Sequence, residues 1–350
     1  MGDILHALPA VTALRQAHPE WVIDWVVEPR WRALLAAPQS EGHTAGPNSA
    51  QPVVDRLHFA PTKEWRKALL SRMTLHEIQS LRRGLKGGSY DVSIDLQGAV
   101  RSAILGSLAG CRRLIGEAEP REKAASWFFT EHITTHGAHV IEQDMELASA
   151  IAGDELSPMR PWLPVDPAAE ALADQILSSF SDEPLVLINP GAGWGAKRWP
   201  VERYAAVAQG LIDRGFRVLV NAGPGEEAMA NAIVEGTGGK ATPLFASLDL
   251  LIAVTRRVTL AIAGDTGPLH LACALGRPVV GIYGPTDPSR NGPYGTRFKV
   301  LRSPESRRDH TRHAAPEAGL LTIQPDEVLL AADQLLYSET AQETESGRSQ

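Results

Sequence analysis

Four turns in the second half of the sequence place small residues, carboxylates, a lysine and a histidine directly after apolar, strand-like runs. In open parallel sheets ligands sit at the carboxyl ends of the strands, so these turns mark a phosphate- or nucleotide-binding face. The most informative is Gly264-Asp265-Thr266-Gly267-Pro268-Leu269-His270, where the apolar run Thr259–Ala263 passes through a polar turn into a helical segment. Asp265 or Thr266 suits the N-cap and Pro268 the first turn. The free N–H groups and helix dipole at such an end attract anionic oxygens. His270 lies about one turn further in, on the side that can face the same ligand. In Asn189-Pro-Gly-Ala-Gly-Trp-Gly-Ala-Lys197, Gly193 lets backbone approach a diphosphate and Lys197 offers a point charge. Glu226, after Gly223-Pro-Gly, reads either as a hydrogen-bond partner for a ribose or base, or as a carboxylate favoured at a helix start. Taken singly, each has an ordinary structural reading as a cap, a loop lysine or a half-buried histidine; their recurrence after successive strands favours a ligand.

Other chemistries fit less well. Gly191-x-Gly193-x-x-Ala196 formally matches a dinucleotide fingerprint, but Trp199-Pro200 delays the helix and the next strand ends at Asn221 rather than at an acid. There is no G-x-x-x-x-G-K-[ST], H-E-x-x-H, C-x-x-C or G-x-S-x-G, and no D-x-D pair. The expectation is metal-free chemistry without a cofactor. In the first half, Gly2-Asp3 precedes a helical run and Asp3 reads locally as an N-cap, with Pro9 implying a late start or a kink. Residues 62–86 carry seven basic side chains (Lys63, Arg66, Lys67, Arg72, Arg82, Arg83, Lys86) against two acidic ones, seven minus two giving +5 in a chain of −7. That asymmetry suits an anionic partner such as a phosphorylated lipid or acidic sugar, or a solvated helix face.

The elements that must hold these residues alternate between strand and helix, which defines an α/β protein built from parallel βαβ units. Strands are expected at Trp21–Glu28, Val53–Phe59, Tyr90–Leu96, Arg113–Gly116, Leu185–Asn189, Phe216–Asn221, Thr259–Ala263 and Val279–Tyr283. Helices are expected at Ile4–Ala17, Lys63–Leu85, Val100–Leu108, Val140–Ile151, Ala168–Phe180, Val201–Arg214, Glu226–Glu235, Leu248–Arg256 and Leu269–Leu275. The proline-rich stretch 154–167 divides an N-terminal domain over 1–153 from a C-terminal domain over 168–337, and the polar tail 338–350 reads as disordered. A parallel βαβ domain opens on a buried strand, yet this sequence enters a helix at once, so the first strand of the N-domain is expected to be missing. The 350 residues are 43% hydrophobic, enough for a sizeable core. Net charge −7 argues against nucleic acid as a partner, and no apolar run is long enough for a transmembrane segment. Cys111 and Cys273 are too few for a disulfide framework or a four-ligand zinc site, so the sequence reads as a soluble cytoplasmic protein.

Several motifs, in order over residues 1–300, carry a resemblance: Met1-Gly-Asp-Ile-Leu-His-Ala-Leu-Pro-Ala10, Asp24-Trp-Val-Val-Glu28, Asp95-Leu-Gln-Gly98, Lys197-Arg-Trp-Pro200, Asp265-Thr-Gly-x-x-His270 and Tyr283-Gly-Pro-Thr-Asp-Pro288. The sequence resembles the lipopolysaccharide heptosyltransferases of glycosyltransferase family 9, most of all their type I members. The resemblance implies a GT-B architecture, two Rossmann-like domains facing across a cleft, with the nucleotide sugar on the C-terminal domain and the acceptor on the N-terminal one. It implies inverting, metal-independent transfer of L-glycero-D-manno-heptose from ADP-heptose to Kdo of the lipid A inner core, by an enzyme peripheral to the cytoplasmic face of the inner membrane. Asp3 falls on the family's catalytic base, and Lys197, Asp265, Thr266, Gly267 and His270 on its ADP-heptose contacts, with Glu226 on the ribose. The segment Trp65-Arg66-Lys67 and Arg121 fall on the acceptor side. The sequence departs from the family in lacking the opening strand with its Lys/Ser turn, and in carrying Gly-Ala-Gly-Trp-Gly where some members have hydroxyl residues. Other readings are a type II or different family 9 transferase, a catalytically impaired nucleotide-sugar-binding paralogue, or a nicotinamide-dependent oxidoreductase.

Overall fold

A computed structural model describes residues 1–38, 48–180, 183–308 and 313–346. The chain divides into two compact units, one over Asp3–Asp166 and one from Pro167 onward. Residues 155–166 form neither helix nor strand. They run along the first unit, where Trp162 N donates to Thr12 Oγ1 at 3.4 Å and Val165 N to Ser49 O at 2.8 Å.

The second unit is built on one six-stranded parallel sheet. Its strands are β6 (Leu185–Asn189), β7 (Arg217–Asn221), β8 (Thr242–Leu244), β9 (Leu260–Gly264), β10 (Val279–Tyr283) and β11 (Phe298–Arg302), in the order β11-β10-β9-β6-β7-β8. The four inner strands are near-continuous apolar runs because both faces are covered by helices. Those helices include α6 (Pro167–Leu177), α7 (Val201–Ile212), α8 (Glu227–Gly236), α9 (Leu248–Thr255), α10 (Gly267–Ala274) and α12 (Pro325–Ser346). On one face Val186, Ile188, Val218 and Ile262 pack with Tyr204, Leu211 and Val328; on the other Ala261 and Ala263 pack with Leu269 and Tyr283. The order is that of a doubly wound fold, and the order in which successive strands are added reverses between β6 and β9 while all strands stay parallel. The edge strands β8 and β11 were not foreseen from the sequence. Helix α12 runs to Ser346, into the segment expected to be disordered, because Glu339 to Glu345 are mostly good helix formers; residues 347–350 lie outside the described residues.

The first unit is assembled differently. Helix α1 (Gly2–Ala17) begins at Gly2 rather than late, with Pro9 inside it. Burial of Leu5, Leu8, Val11 and Leu14 offsets the backbone bond that Pro9 cannot make. The five strands fall into two separate parallel sheets. β1 (Asp24–Val27) pairs with β2 (Arg56–Phe59), and β3 (Val92–Asp95) pairs with β4 (Arg113–Glu117), which pairs with β5 (Glu131–Ile133). A cavity of about 430 Å³ is lined by β1, by β3 and by Ile4, Ala7, Val11 and Leu14 of α1. It is bordered by one strand from each of the two sheets. The helix expected over Lys63–Leu85 is two: α2 (Thr62–Trp65) and α3 (Arg72–Gly87). Ser71 interrupts it by capping α3, its Oγ accepting from Thr74 N at 3.1 Å. Helices α4 (Val100–Ser107) and α5 (Val140–Ala152) complete the unit.

Candidate functional site

Two groups of the expected residues form, one in each unit. In the first unit, Asp3 stands in the first turn of α1 with its side chain about half exposed. Gln97 Nε2 donates to Asp3 Oδ2 at 2.5 Å, and Arg121 Nη1 lies 3.8 Å from Oδ1. Gln97 is delivered by a turn that Asp95 organises at the end of β3. The buried Asp95 carboxylate accepts from Gln97 N at 2.9 Å, Gly98 N at 3.1 Å and Ser102 Oγ at 3.0 Å. Burial pushes the Asp95 carboxyl above its ordinary value in spite of these bonds. Gly98 takes φ +62°, and a Cβ there would stand 3.0 Å from Arg121 N, so only glycine lets this turn pack on the one that carries Arg121.

Asp3 is therefore not the helix cap read from the local sequence: Met1 holds that position and no side chain caps the helix, while Asp3 gathers an amide and a guanidinium at the carboxyl end of β3 and β4. Gln97 lies inside the Asp95-Leu-Gln-Gly98 motif, and its position two residues beyond a buried strand-terminal aspartate is the signal in the sequence that identifies it. Lys63, Arg66 and Lys67 lie elsewhere in the unit, exposed on α2 and the turn after it. Trp65, between them, is a core residue: it packs with Ala60, Leu81 and Leu85, and its Nε1 donates to Glu77 Oε2 at 2.6 Å.

In the second unit the turns after β6 and β9, the two strands that flank the topological switch, meet through Lys197 and Asp265. Lys197 Nζ is hydrogen-bonded to Asp265 Oδ2 and lies 3.4 Å from Asp265 O, and it sits 4.2 Å above the centre of the Trp194 ring. His270 Nε2 lies 3.3 Å from Asp265 Oδ1. All three side chains are nearly buried, at 10% (Lys197), 9% (Asp265) and 7% (His270) exposure. Burial alone would raise the Asp265 carboxyl; the His270 hydrogen bond and the charges of Lys197 and His270 outweigh it and hold it well below its ordinary range. Asp265 is thus turned away from the helix end. Thr266 takes the N-cap position of α10 but its Oγ1 donates back to Gly264 O at 3.2 Å, and no side chain caps the amides of Gly267 and Leu269. Pro268 has no N–H to leave exposed.

The turns after β6 and β7 are also joined. Glu226, at the N-cap of α8, accepts from Gly223 N at 3.1 Å. A Cβ on Gly191 would lie 2.3 Å from its Oε2, so the glycine that fits the carboxylate is Gly191. Gly193 is exposed, with open space around it. The formal dinucleotide fingerprint does not hold: β6 leads into a short 3-10 turn over Gly195–Lys197, and α7 starts only at Val201, so the glycines do not open a helix.

Residues 78–320 match the sequence profile of glycosyltransferase family 9 (heptosyltransferase). The chain is 32% identical over 311 residues to lipopolysaccharide heptosyltransferase 1 of Escherichia coli K12, covering 87% of this chain and 91% of that one. It is 31% identical over 311 residues to the Salmonella typhimurium protein of the same name, covering 87% and 92%. Among solved structures it is similar to E. coli heptosyltransferase WaaC with ADP, at TM-score 0.75 and 27% identity over 96% of this chain and 97% of that one. The complex of that protein with ADP-2-deoxy-2-fluoro heptose gives TM-score 0.73 and 27% identity over 95% and 96%. A doubly wound sheet with a charged cluster at its switch point, in a chain with this likeness, makes the protein a GT-B glycosyltransferase. The chain belongs to glycosyltransferase family 9, the heptosyltransferases, and is 31–32% identical to type I members of that family.

Proposed function

We propose that this enzyme transfers L-glycero-D-manno-heptose from ADP-heptose to a Kdo residue of the lipid A inner core, inverting the anomeric centre without a metal. The observation that carries this reading is the Lys197–Asp265–His270 cluster beside the uncapped start of α10. The solved relative holds ADP and a fluorinated ADP-heptose, and the cluster has the chemistry a departing diphosphate needs. Lys197 and the amides of Gly267 and Leu269 would stabilise charge as it grows on the leaving ADP. Asp265 holds Lys197 and His270 in place for that task, Thr266 sets the start of the helix, and Glu226 accepts from the ribose hydroxyls. The second unit is then the donor domain and the first the acceptor domain.

In the transfer step the Kdo hydroxyl oxygen forms a bond to the anomeric carbon as the bond from that carbon to the ADP oxygen breaks. Asp3 takes the hydroxyl proton and ADP leaves with the bonding electrons. Gln97 fixes the carboxylate, while Arg121, Lys63, Arg66 and Lys67 meet the anionic groups of the acceptor. No helix among the described residues is long and apolar enough to cross a membrane, and the cationic stretch would hold the enzyme peripherally at the anionic cytoplasmic leaflet where this acceptor resides.

The test is a kinetic split. Asp3→Ala is expected to lower kcat by ~10²–10⁴ while leaving the Kd for ADP unchanged. Equal losses in both would make Asp3 a structural residue. Turnover should persist in excess EDTA, and ADP but not NAD should raise the Tm.

A further inference from the structure

Between Glu64 and Glu77 the chain carries no acidic residue, and it joins α2 to α3 through an ordered, outward-facing tip. Leu70 is 90% exposed, Met73 72% and Leu69 56%, while Arg66, Lys67 and Arg72 beside them are exposed too. The tip is fixed from both ends. Trp65 is anchored in the core and bonded to Glu77, and Thr74 is buried and bonded to Ser71. Backbone bonds from Lys67 N to Glu64 O, Ala68 N to Trp65 O and Ser71 N to Ala68 O brace the turns between. These apolar side chains therefore cannot fold back onto the unit, and they stay in water unless something covers them.

We propose that Leu69, Leu70 and Met73 insert into the acyl boundary of an anionic lipid bilayer, with Arg66, Lys67 and Arg72 on the headgroups around them. This deepens, and rests on, the reading of the acceptor as a membrane lipid. Two features favour lipid over protein. The apolar tip is three side chains, well short of the roughly 20–30 residues a side of a standard protein interface. The charged residues within the tip, Arg66, Lys67 and Arg72, are all cationic, and each cation near an anionic surface is worth about fivefold in partitioning. Apolar insertion combined with a basic rim is the composition of a segment lying in the membrane interface.

The experiment is co-sedimentation of the whole chain with phosphatidylglycerol–phosphatidylethanolamine vesicles and with phosphatidylcholine vesicles, over a salt series. Leu70→Ser with Met73→Ser removes the two most exposed side chains of the apolar tip without changing charge, and Arg72→Ala removes one rim charge. The double substitution is expected to weaken binding to anionic vesicles tenfold or more at every salt concentration. Arg72→Ala should cost about fivefold at low salt and little at high salt. Unchanged vesicle binding in the double variant overturns the proposal. So does a concentration-dependent dimer of the wild type that the double variant abolishes, since a second copy would then be the occupant. Heptose transfer to a deacylated, water-soluble Kdo acceptor is measured alongside. The double variant should retain it, whereas a wild-type chain that binds vesicles but fails this transfer would refute the proposed acceptor and leave the insertion standing.

Discussion

The two units hold their functional residues in opposite ways. The second joins six strands into one sheet and buries its charged cluster at the point where strand order reverses. The first has its strands in two sheets with a cavity between them, and it presents Asp3 about half exposed on a helix start that borders the cavity. A residue that must hold a diphosphate benefits from rigid, partly dehydrated surroundings, where charge interactions are strongest. In the proposed mechanism Asp3, as a base meeting a bulky acceptor, needs access. The difference also means that the chemistry in the first unit rests on fewer backbone bonds than that in the second.

The largest effect that would sharpen this contrast is kinetic. Asp3→Ala should act on turnover alone, by the ~10²–10⁴ given above, whereas Lys197→Met should weaken ADP binding and unfold the second unit more easily, by about 3 kcal/mol, because the nearly buried Asp265 then loses its lysine partner. Isothermal titration and chemical denaturation separate the two outcomes. Hydrogen exchange gives the next largest effect: amides of β1 and β3 should exchange ~10²-fold or more faster than those of β6 and β9. Joining an apolar strand of about five residues ahead of Met1 should erase that difference, and persistence of fast exchange would show that the cavity does not seat a strand.

Acid should separate the units less sharply. The Asp265 carboxyl lies below its ordinary value of 3.8 in the folded state. Its contribution is therefore complete above about pH 5 and is lost as pH falls through the carboxylate range towards that lower value. Asp24 in the first unit behaves in the same sense: burial opposes its ionisation, and bonds from His58 and Tyr90 with the charge of Arg56 overcome that. Asp265→Asn should flatten the acid limb of the denaturation profile of the second unit and leave that of the first. The smallest effect is a gain. Ala7→Leu, pointing into the cavity, should stabilise the first unit by about 1–2 kcal/mol as measured by urea denaturation.

Much of the second unit was legible because fully buried parallel strands are unbroken apolar runs closed by glycine turns, as in Leu185–Asn189 and Leu260–Gly264. The strands that escaped notice are edge strands. β8 contains Pro243, β11 carries Lys299 and Arg302, and β5 is only Glu131–Ile133. With one side unpaired they need neither length nor continuous apolarity. The break between α2 and α3 was hidden because the amphipathic spacing continues through residues 66–71 although a serine cap restarts the helix. In the site, Lys197, Asp265 and His270 were recognisable from their strand-turn-helix setting, but their mutual contact was not, since 68 residues separate Lys197 from Asp265. Gln97 on Asp3 likewise depends on distant segments meeting in space, whereas Trp194 lies in the same turn as Lys197.

That separation also bears on how the protein comes to be folded. β6, β7 and β8 are consecutive both in the chain and in the sheet, whereas β9 pairs with the opposite edge of β6 across a longer stretch of chain, the kind of contact that forms slowly. Until β9 docks there is no Asp265 beside Lys197 and no α10 amide at the switch point. An intermediate arrested before that step would have nothing to grip ADP with, so nucleotide added during refolding should leave the rate of β9 docking untouched and slow only the reverse passage out of the finished unit.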